Sequence, residues 1–574
     1  MMLVQVAVTE IALIFPGSFR RQFRGFQPVS DPVFWKQAVH LPYGFFCLVK
    51  EMIKAVYYTK FKFCFSPFAP DKIPGTLHFP YMAFLLFFQA FYTDRPHIPF
   101  FSYRDLTQLA MEHSKPGKHT PDVEYTFKDV GLKQNIPVLG LYPNYNNQIT
   151  LIYTDLQGNE RARSNLKLQT KTLESRRLPK EIRVVKAQYD RMEPGMNLVN
   201  SPGQDETDTS IPYMIDADGE IRWILDWEKS DEHRYIGIGC GLIRMQNGHY
   251  MTGDGNHHRM VEVDMMGNTI HNWDMLERGY TMHHAISQDK QGNILATVSK
   301  TSAKIANGKD VRINDFIIMM DPEKGEILQE WDLVHMLDSA RYGMTDYDLT
   351  SDPFAQSASN WAHNNGIVEW GDDYLATARY QGIFKFNKAG GIEWIISPHG
   401  YWRDKYLKLL LNPLHADGTP ITDPEVIAGT KTCDDFEWPW GCHTAVPLPN
   451  GHILYFNNGY GRNFKLDFTD RKNIYTCGIE YEVDEVNRTV RQVWQYGKER
   501  GAAYFTPARS GVQYLEQTGN RLICPGMSNV LSNGNRGARV TEVDPETQDV
   551  VFELELEDAI YQRVYRMSLY PENQ

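Results

Sequence analysis

The chain has 574 residues and a mass of 66.3 kDa, with 42% hydrophobic and 23% charged residues, a balance that excludes a disordered chain and allows a large core. Lys and Arg total 59 against 71 Asp and Glu, a net charge of −12, so no nucleic acid is expected as partner, because phosphate binding needs a positive surface. Seven cysteines (Cys47, Cys64, Cys240, Cys433, Cys442, Cys477 and Cys524) are too few and too scattered for a disulfide scaffold or a paired zinc motif.

Residues 1–118 differ in kind from the rest. They hold 13 Lys and Arg against 7 Asp and Glu, and 25 of the 72 aromatic residues fall before residue 104. Residues 1–15 lack a basic start and carry Glu10 inside the apolar run, so no clear secretory signal is read there. The most apolar stretch, 81–92, falls short of the roughly 20 residues of a membrane-spanning helix. The segment is expected to be partly helical. Its aromatics either pack on the main body or, with Lys36, Lys50, Lys54, Lys60 and Lys62 interleaved among Phe and Tyr, make a membrane-surface contact.

Residues 119–182 read as a small β-sandwich: IPVLGLYP, NNQITLIYTD and RSNLKLQTKT alternate or run apolar between Asn and Gly turns. From 183 to 574 a hairpin with an apolar alternation, a polar turn and a second strand usually containing Trp recurs six times, at 211–226, 260–275, 316–333, 382–397, 478–496 and 538–556. A second type of hairpin lies between the copies, at 241–255, 284–300, 363–379, 443–459 and 510–526. Two hairpins per unit make a four-stranded blade, so the expected fold is all-β: a six-bladed β-propeller, closed by pairing of 564–570 with strands near 196–199. Two long inserts, 333–360 and 398–441, interrupt the spacing and are candidate binding loops.

In the inner-type hairpins, His284, His363 and His443 each stand just before the first strand. Three of the 18 histidines at one equivalent position would converge at one mouth of the propeller channel. Arg379 ends the strand that pairs with the one His363 opens, and its guanidinium fork suits an oxyanion. His283 is expected to point away from His284 if the backbone there is extended. His257, His258, His399 and His415 are weaker candidates. HExxH, GxSxG and Walker motifs are absent.

The stretches IPYMIDADGEIRWILD, NWAHNNGIVEWGDDYLATARYQGIFKFNKAGGIEWIIS and WGCHTAVPLPNGHILYFNNGYGR resemble the bacterial arylsulfate sulfotransferases that do not use phosphoadenylylsulfate. IPVLGLYPNYNNQITLIYTD resembles that family's N-terminal β-sandwich. The resemblance implies a periplasmic, homodimeric six-bladed propeller that moves a sulfuryl group from an aryl sulfate donor to a phenolic acceptor without metal or other cofactor. By motif, it implies His443 as nucleophile, His363 and His284 as further active-site histidines, and Arg379 as the active-site arginine. Cys442 stands where family members often carry Gln. A neutral imidazole can attack sulfur to form a sulfohistidine, with His363 or His284 as acid and base and Arg379 stabilising the sulfuryl oxygens. Phe436, Trp438 and Trp440 either stack on the aryl groups or pack within the insert. Cys433 and Cys442, close in sequence, are either a disulfide that fixes the loop before His443 or two free thiols. Two other readings use the same chain: a metal-dependent hydrolase or lyase with the histidines as ligands, and a non-enzymatic propeller scaffold.

Overall fold

The computed structural model describes residues 4–12, 82–86 and most of 107–571. The chain divides into two compact units, 6–106 with 131–136, and 1–5, 107–130 and 137–574. In the first, residues 8–12 pair antiparallel with Met82–Leu86. Of the segment expected to be partly helical, Met82–Leu86 is thus extended. Residues 13–81 and 87–106, with all the lysines considered for membrane contact, lie outside the described residues.

The larger unit opens with a four-stranded antiparallel sheet in the order Val123–Gly131, Thr107–Ser114, Asn146–Thr154, Glu160–Gln169. Its strand Thr107–Ser114 precedes the limit at 119 read from the alternation. Along Asn146–Thr154 alternate side chains are buried, Ile149, Leu151 and Tyr153 among them, as a sheet with one covered face requires.

Six further sheets of four to six strands follow as the blades of the propeller. The first runs from the innermost strand Arg563–Met567 through Met196–Ser201 and Ile211–Ile215 to Ile221–Ile224. Its innermost strand comes from the end of the chain: Val564 pairs with Val199 and Met567 with Met196, the closure expected from the sequence. The last blade gains an outermost strand, Ile182–Ala187, paired with Val550–Glu557. Both ends of the propeller chain therefore meet at the same seam and close the ring.

Two recurrent devices explain the repeated sequence. Asp216, Asp264, Asp321, Asn387, Asp484 and Asp544 open the outer turns of successive blades, and one side-chain oxygen of each accepts two backbone N–H groups of its turn. The short carboxylate or amide thereby satisfies donors that the ladder leaves unpaired. The tryptophans of the outermost strands then bind four of the blades each to the next. Trp223 Nε1 donates to Met265 O at 2.9 Å, Trp273 to Pro322 O at 3.2 Å, Trp331 to Lys388 O at 2.9 Å and Trp394 to Glu485 Oε1 at 2.8 Å. Each indole fills the apolar seam between blades while its one polar atom reaches the neighbour's turn.

Of the two inserts, 342–359 lies outside the described residues. The second is ordered by the short strand Asn412–Leu414, added in parallel to Thr489–Tyr496, and the helix Pro424–Ala428, capped by Asp423.

Candidate functional site

The three recurring histidines sit on the innermost strands Tyr280–Gln288, Asn364–Trp370 and His443–Pro447, or one residue before them. Each of these strands is bulged at that point: register shifts between Met282 and Ile286, Asn364 and Gly366, and His443 and Ala445. The backbone there is left-handed, with φ of 46° at His284, 55° at His363 and 51° at Thr444. A bulge of this kind re-aims a side chain out of the pleat, and left-handed non-glycine residues concentrate where function holds them. The rings consequently converge, His284 lying 4.6 Å from His363 and 6.4 Å from His443 between centroids. His283 does not point away from its neighbour as an extended backbone would have it. The left-handed turn at His284 breaks the alternation and brings the two Nδ1 atoms to 3.1 Å.

The hydrogen bonds assign the protons. Asn458 uses its amide nitrogen on two carbonyls, Thr506 O at 3.0 Å and Arg509 O at 3.3 Å, so its oxygen faces His443 Nδ1 at 2.6 Å. His443 Nδ1 therefore carries the hydrogen and Nε2 keeps its lone pair. On the other side, the Asn360 amide nitrogen meets His363 Nδ1 at 2.9 Å, which makes that atom an acceptor and leaves the hydrogen on Nε2. His363 Nε2 then donates to His284 Nε2 at 3.0 Å, and His284 Nδ1 to His283 Nδ1. His283 Nε2 ends the row 3.6 Å from Asp315 Oδ1, a buried carboxylate whose other oxygen accepts from Asn364 N–H at 2.8 Å. The result is a polarised row of three imidazoles running from the site to a buried acid.

Arg379 is 3% exposed, anchored by Nη2 donation to Pro507 O at 2.8 Å and stacked 4.5 Å over Tyr460. Its backbone N–H donates to His363 O at 3.0 Å, which ties the arginine to the histidine bulge on the paired strand. Burial and the Arg379 charge hold His443 down at about 3, with Arg509 adding to the effect. Burial, Arg379 and the neighbouring rings hold His363 and His284 well below the usual imidazole range. All three are neutral at pH 7, in a field made positive by arginine.

The sequence reading missed Asn360, Asn458, Asp315 and Arg509 as parts of this site. Asn458 had a signal, since FNNGY closes the hairpin that His443 opens. Asp315 comes from the third strand of a blade and Arg509 from a left-handed loop residue, φ 62°, and neither position recurs.

Other expectations are corrected. Phe436, Trp438 and Trp440 pack in the core between two blades, where Phe436 stacks on Tyr481 at 5.7 Å and Trp438 Nε1 donates to Val426 O at 2.8 Å. The apolar seam under the insert needs them more than a solvent-facing loop could. Cys433 and Cys442 are free thiols: Cys442 is fully buried beside His443, whereas Cys433 Sγ lies 3.1 Å from Asp435 Oδ1. His257 pairs with Asp254, His399 Nε2 donates to Leu411 O, and His415 pairs with Asp435. His258 Nδ1 accepts from Met282 N–H just behind His283.

Residues 181–566 match the Arylsulfotransferase (ASST) family and residues 101–171 the Arylsulfotransferase Ig-like domain. Among characterised relatives, an arylsulfate sulfotransferase AssT of Escherichia coli O6:H1 is 28% identical over 393 residues, which cover 62% of this chain and 64% of that protein. An arylsulfate sulfotransferase AssT of Lelliottia amnigena is 26% identical over 531 residues, 80% of this chain and 87% of that one. A solved structure from Bacteroides caccae, of unknown function, aligns with a TM-score of 0.38 and 12% identity over 64% of this chain and 98% of that one, too distant to bear on the site. With the first match alone spanning the whole ring of blades that carries the histidines and Arg379, this chain belongs to the arylsulfotransferase family.

Proposed function

We propose that the protein transfers a sulfuryl group from an aryl sulfate ester to a phenol in two displacements, through a sulfohistidine on His443. The observation that carries this reading is the state of His443: neutral, its Nδ1 hydrogen committed to Asn458, its Nε2 lone pair free to attack, and Arg379 close enough to depress its basicity.

In the first step Nε2 bonds to sulfur and the S–O bond to the aryl group breaks. The aryl oxygen departs as a phenolate and takes its proton from solvent, while Arg379 offsets the charge on the sulfuryl oxygens. In the second step the acceptor phenol gives its proton to the histidine pair as its oxygen attacks sulfur, the N–S bond breaks, and the pair then releases that extra proton to solvent. The row through His283 to Asp315 stabilises the positive charge that the pair carries when it holds the extra proton, as a buried carboxylate does for an imidazolium. The same reading places the protein in the periplasm as a homodimer, in keeping with the family resemblance.

The test is turnover of p-nitrophenyl sulfate with phenol as acceptor, followed by mass spectrometry of the protein quenched after donor alone. A peptide containing His443 heavier by one SO3 supports the proposal. Transfer without such an adduct, together with intersecting double-reciprocal plots, sinks the two-step mechanism.

A further inference from the structure

The geometry points to a structural zinc site in the 398–441 insert, formed by His415 Nδ1, Cys433 Sγ and an Asp435 carboxylate oxygen. These three donors come from two separate stretches of the insert, and their atoms all lie within 4.8 Å of one another. Asp435 Oδ1 is the shared apex, 3.0 Å from His415 Nδ1 and 3.1 Å from Cys433 Sγ.

The spacing suits the ion. Zinc bonds of about 2.0–2.1 Å to nitrogen, 2.0–2.2 Å to oxygen and 2.3 Å to sulfur set tetrahedral edges of roughly 3.3–3.7 Å, so the two edges that meet at Asp435 need only a few tenths of an ångström of spreading. One nitrogen, one thiolate and one carboxylate are a borderline donor set, which favours zinc over the oxygen-seeking calcium and magnesium. The side chains of His415 and Asp435 are 40% and 38% exposed, which leaves an entry path and room for a water as fourth ligand.

The ligands stand on prepared backbone. His415 follows the strand Asn412–Leu414 and opens a turn closed by His415 N–H to Thr419 O at 2.8 Å and Gly418 N–H to His415 O at 2.9 Å. The other Asp435 oxygen accepts from Ala416 N–H at 2.9 Å, an outer contact that orients the carboxylate. At present two hydrogens, on His415 Nδ1 and Cys433 Sγ, face one carboxylate. On binding, a neutral His415 moves its proton to Nε2 and Cys433 releases one proton to solvent, so the exchange is one zinc ion for one proton. The ion would cross-link the insert just before Trp438, Trp440 and His443. The inference does not depend on the proposed reaction.

The experiment uses the full-length protein under reducing conditions, titrated with zinc chloride against a chromophoric zinc indicator, and separately with cobalt(II) as a spectroscopic probe. One zinc per chain, one proton released, and a thiolate-to-cobalt charge-transfer absorption are expected. Cys433→Ser should abolish that absorption and weaken zinc binding about 100-fold, and His415→Ala should weaken it comparably. The His284, His363 and His443 cluster is intact in both variants, so zinc binding that survives unchanged in them, or no binding by the parent, overturns the proposal. Should Cys433→Ser fold poorly, Asp435→Asn replaces it: loss of the zinc-induced rise in Tm supports the site, and an unaltered rise rejects it.

Discussion

His363 and His284, 79 residues apart on neighbouring blades, meet through their Nε2 atoms at 3.0 Å. Two neutral imidazoles at that distance share one hydrogen, and the Asn360 contact to His363 Nδ1 gives the hydrogen to His363. The pair is thus a proton store beside the lone pair of His443, and removing either ring deprives the other's Nε2 of this contact.

Replacing the anchor of the nucleophile should separate geometry from chemistry. In Asn458→Leu, His443 loses the acceptor that fixes its tautomer, and kcat for transfer should fall by about 10²–10⁴-fold, the range for a mispositioned base. His443→Ala should fall to background. Circular dichroism and Tm of both variants check folding, and near-wild-type turnover in Asn458→Leu would remove the tautomer argument.

The pH profile follows from the depressed imidazoles. His443 in the folded protein titrates at about 3, so kcat/KM should stay level well below pH 6.5, where an unperturbed histidine would already be protonated. Arg509→Ala removes one of the charges that hold His443 down, and its acid limb should move to higher pH. For stability the sign is the same as for a depressed carboxylate. The unfolded chain binds more protons than the folded one between the two pKa values, so the contribution is full above about 6.5 and is lost as pH falls toward 3. Urea midpoints measured across this window check it.

Asp315→Asn keeps the hydrogen bond from Asn364 N–H but removes the charge at the end of the imidazole row. With p-nitrophenyl sulfate as donor, transfer to weakly acidic phenols should drop by about 10–100-fold, and transfer to acceptors already ionised at the assay pH much less, because only the former need a base. Equal losses for both kinds of acceptor would mean that Asp315 serves packing alone.

The blade latch is open to a conservative test. Trp331→Phe preserves most of the buried area but deletes the donor to Lys388 O. A loss of about 0.5–1.5 kcal/mol is expected, the net worth of one such hydrogen bond, read from chemical denaturation. Leu328→Phe, at an exposed position of the same strand, should be close to neutral.

The propeller was legible because a blade is a local object. Period-two alternation and polar turns act over some twenty residues, and six copies of them define six sheets; even the closing strand at 564–570 showed as an apolar run without a partner. His284, His363, His443 and Arg379 were legible for the same reason, since equivalent positions on repeated units map to equivalent places around an axis.

The repeats alone therefore set the number of blades, the position of the three histidines at the strand starts and the arginine on the adjoining strand. The packing of the blades sets which protons those histidines carry, turns His283 toward His284 instead of away from it, and brings Asp315 and Arg509 beside the cluster. It also turned Phe436, Trp438 and Trp440 into core and separated Cys433 from Cys442. The reason is that tautomers and side-chain directions depend on single bulges, such as the left-handed turn at His284, and on partners from other blades. Neither leaves a periodic trace in the chain.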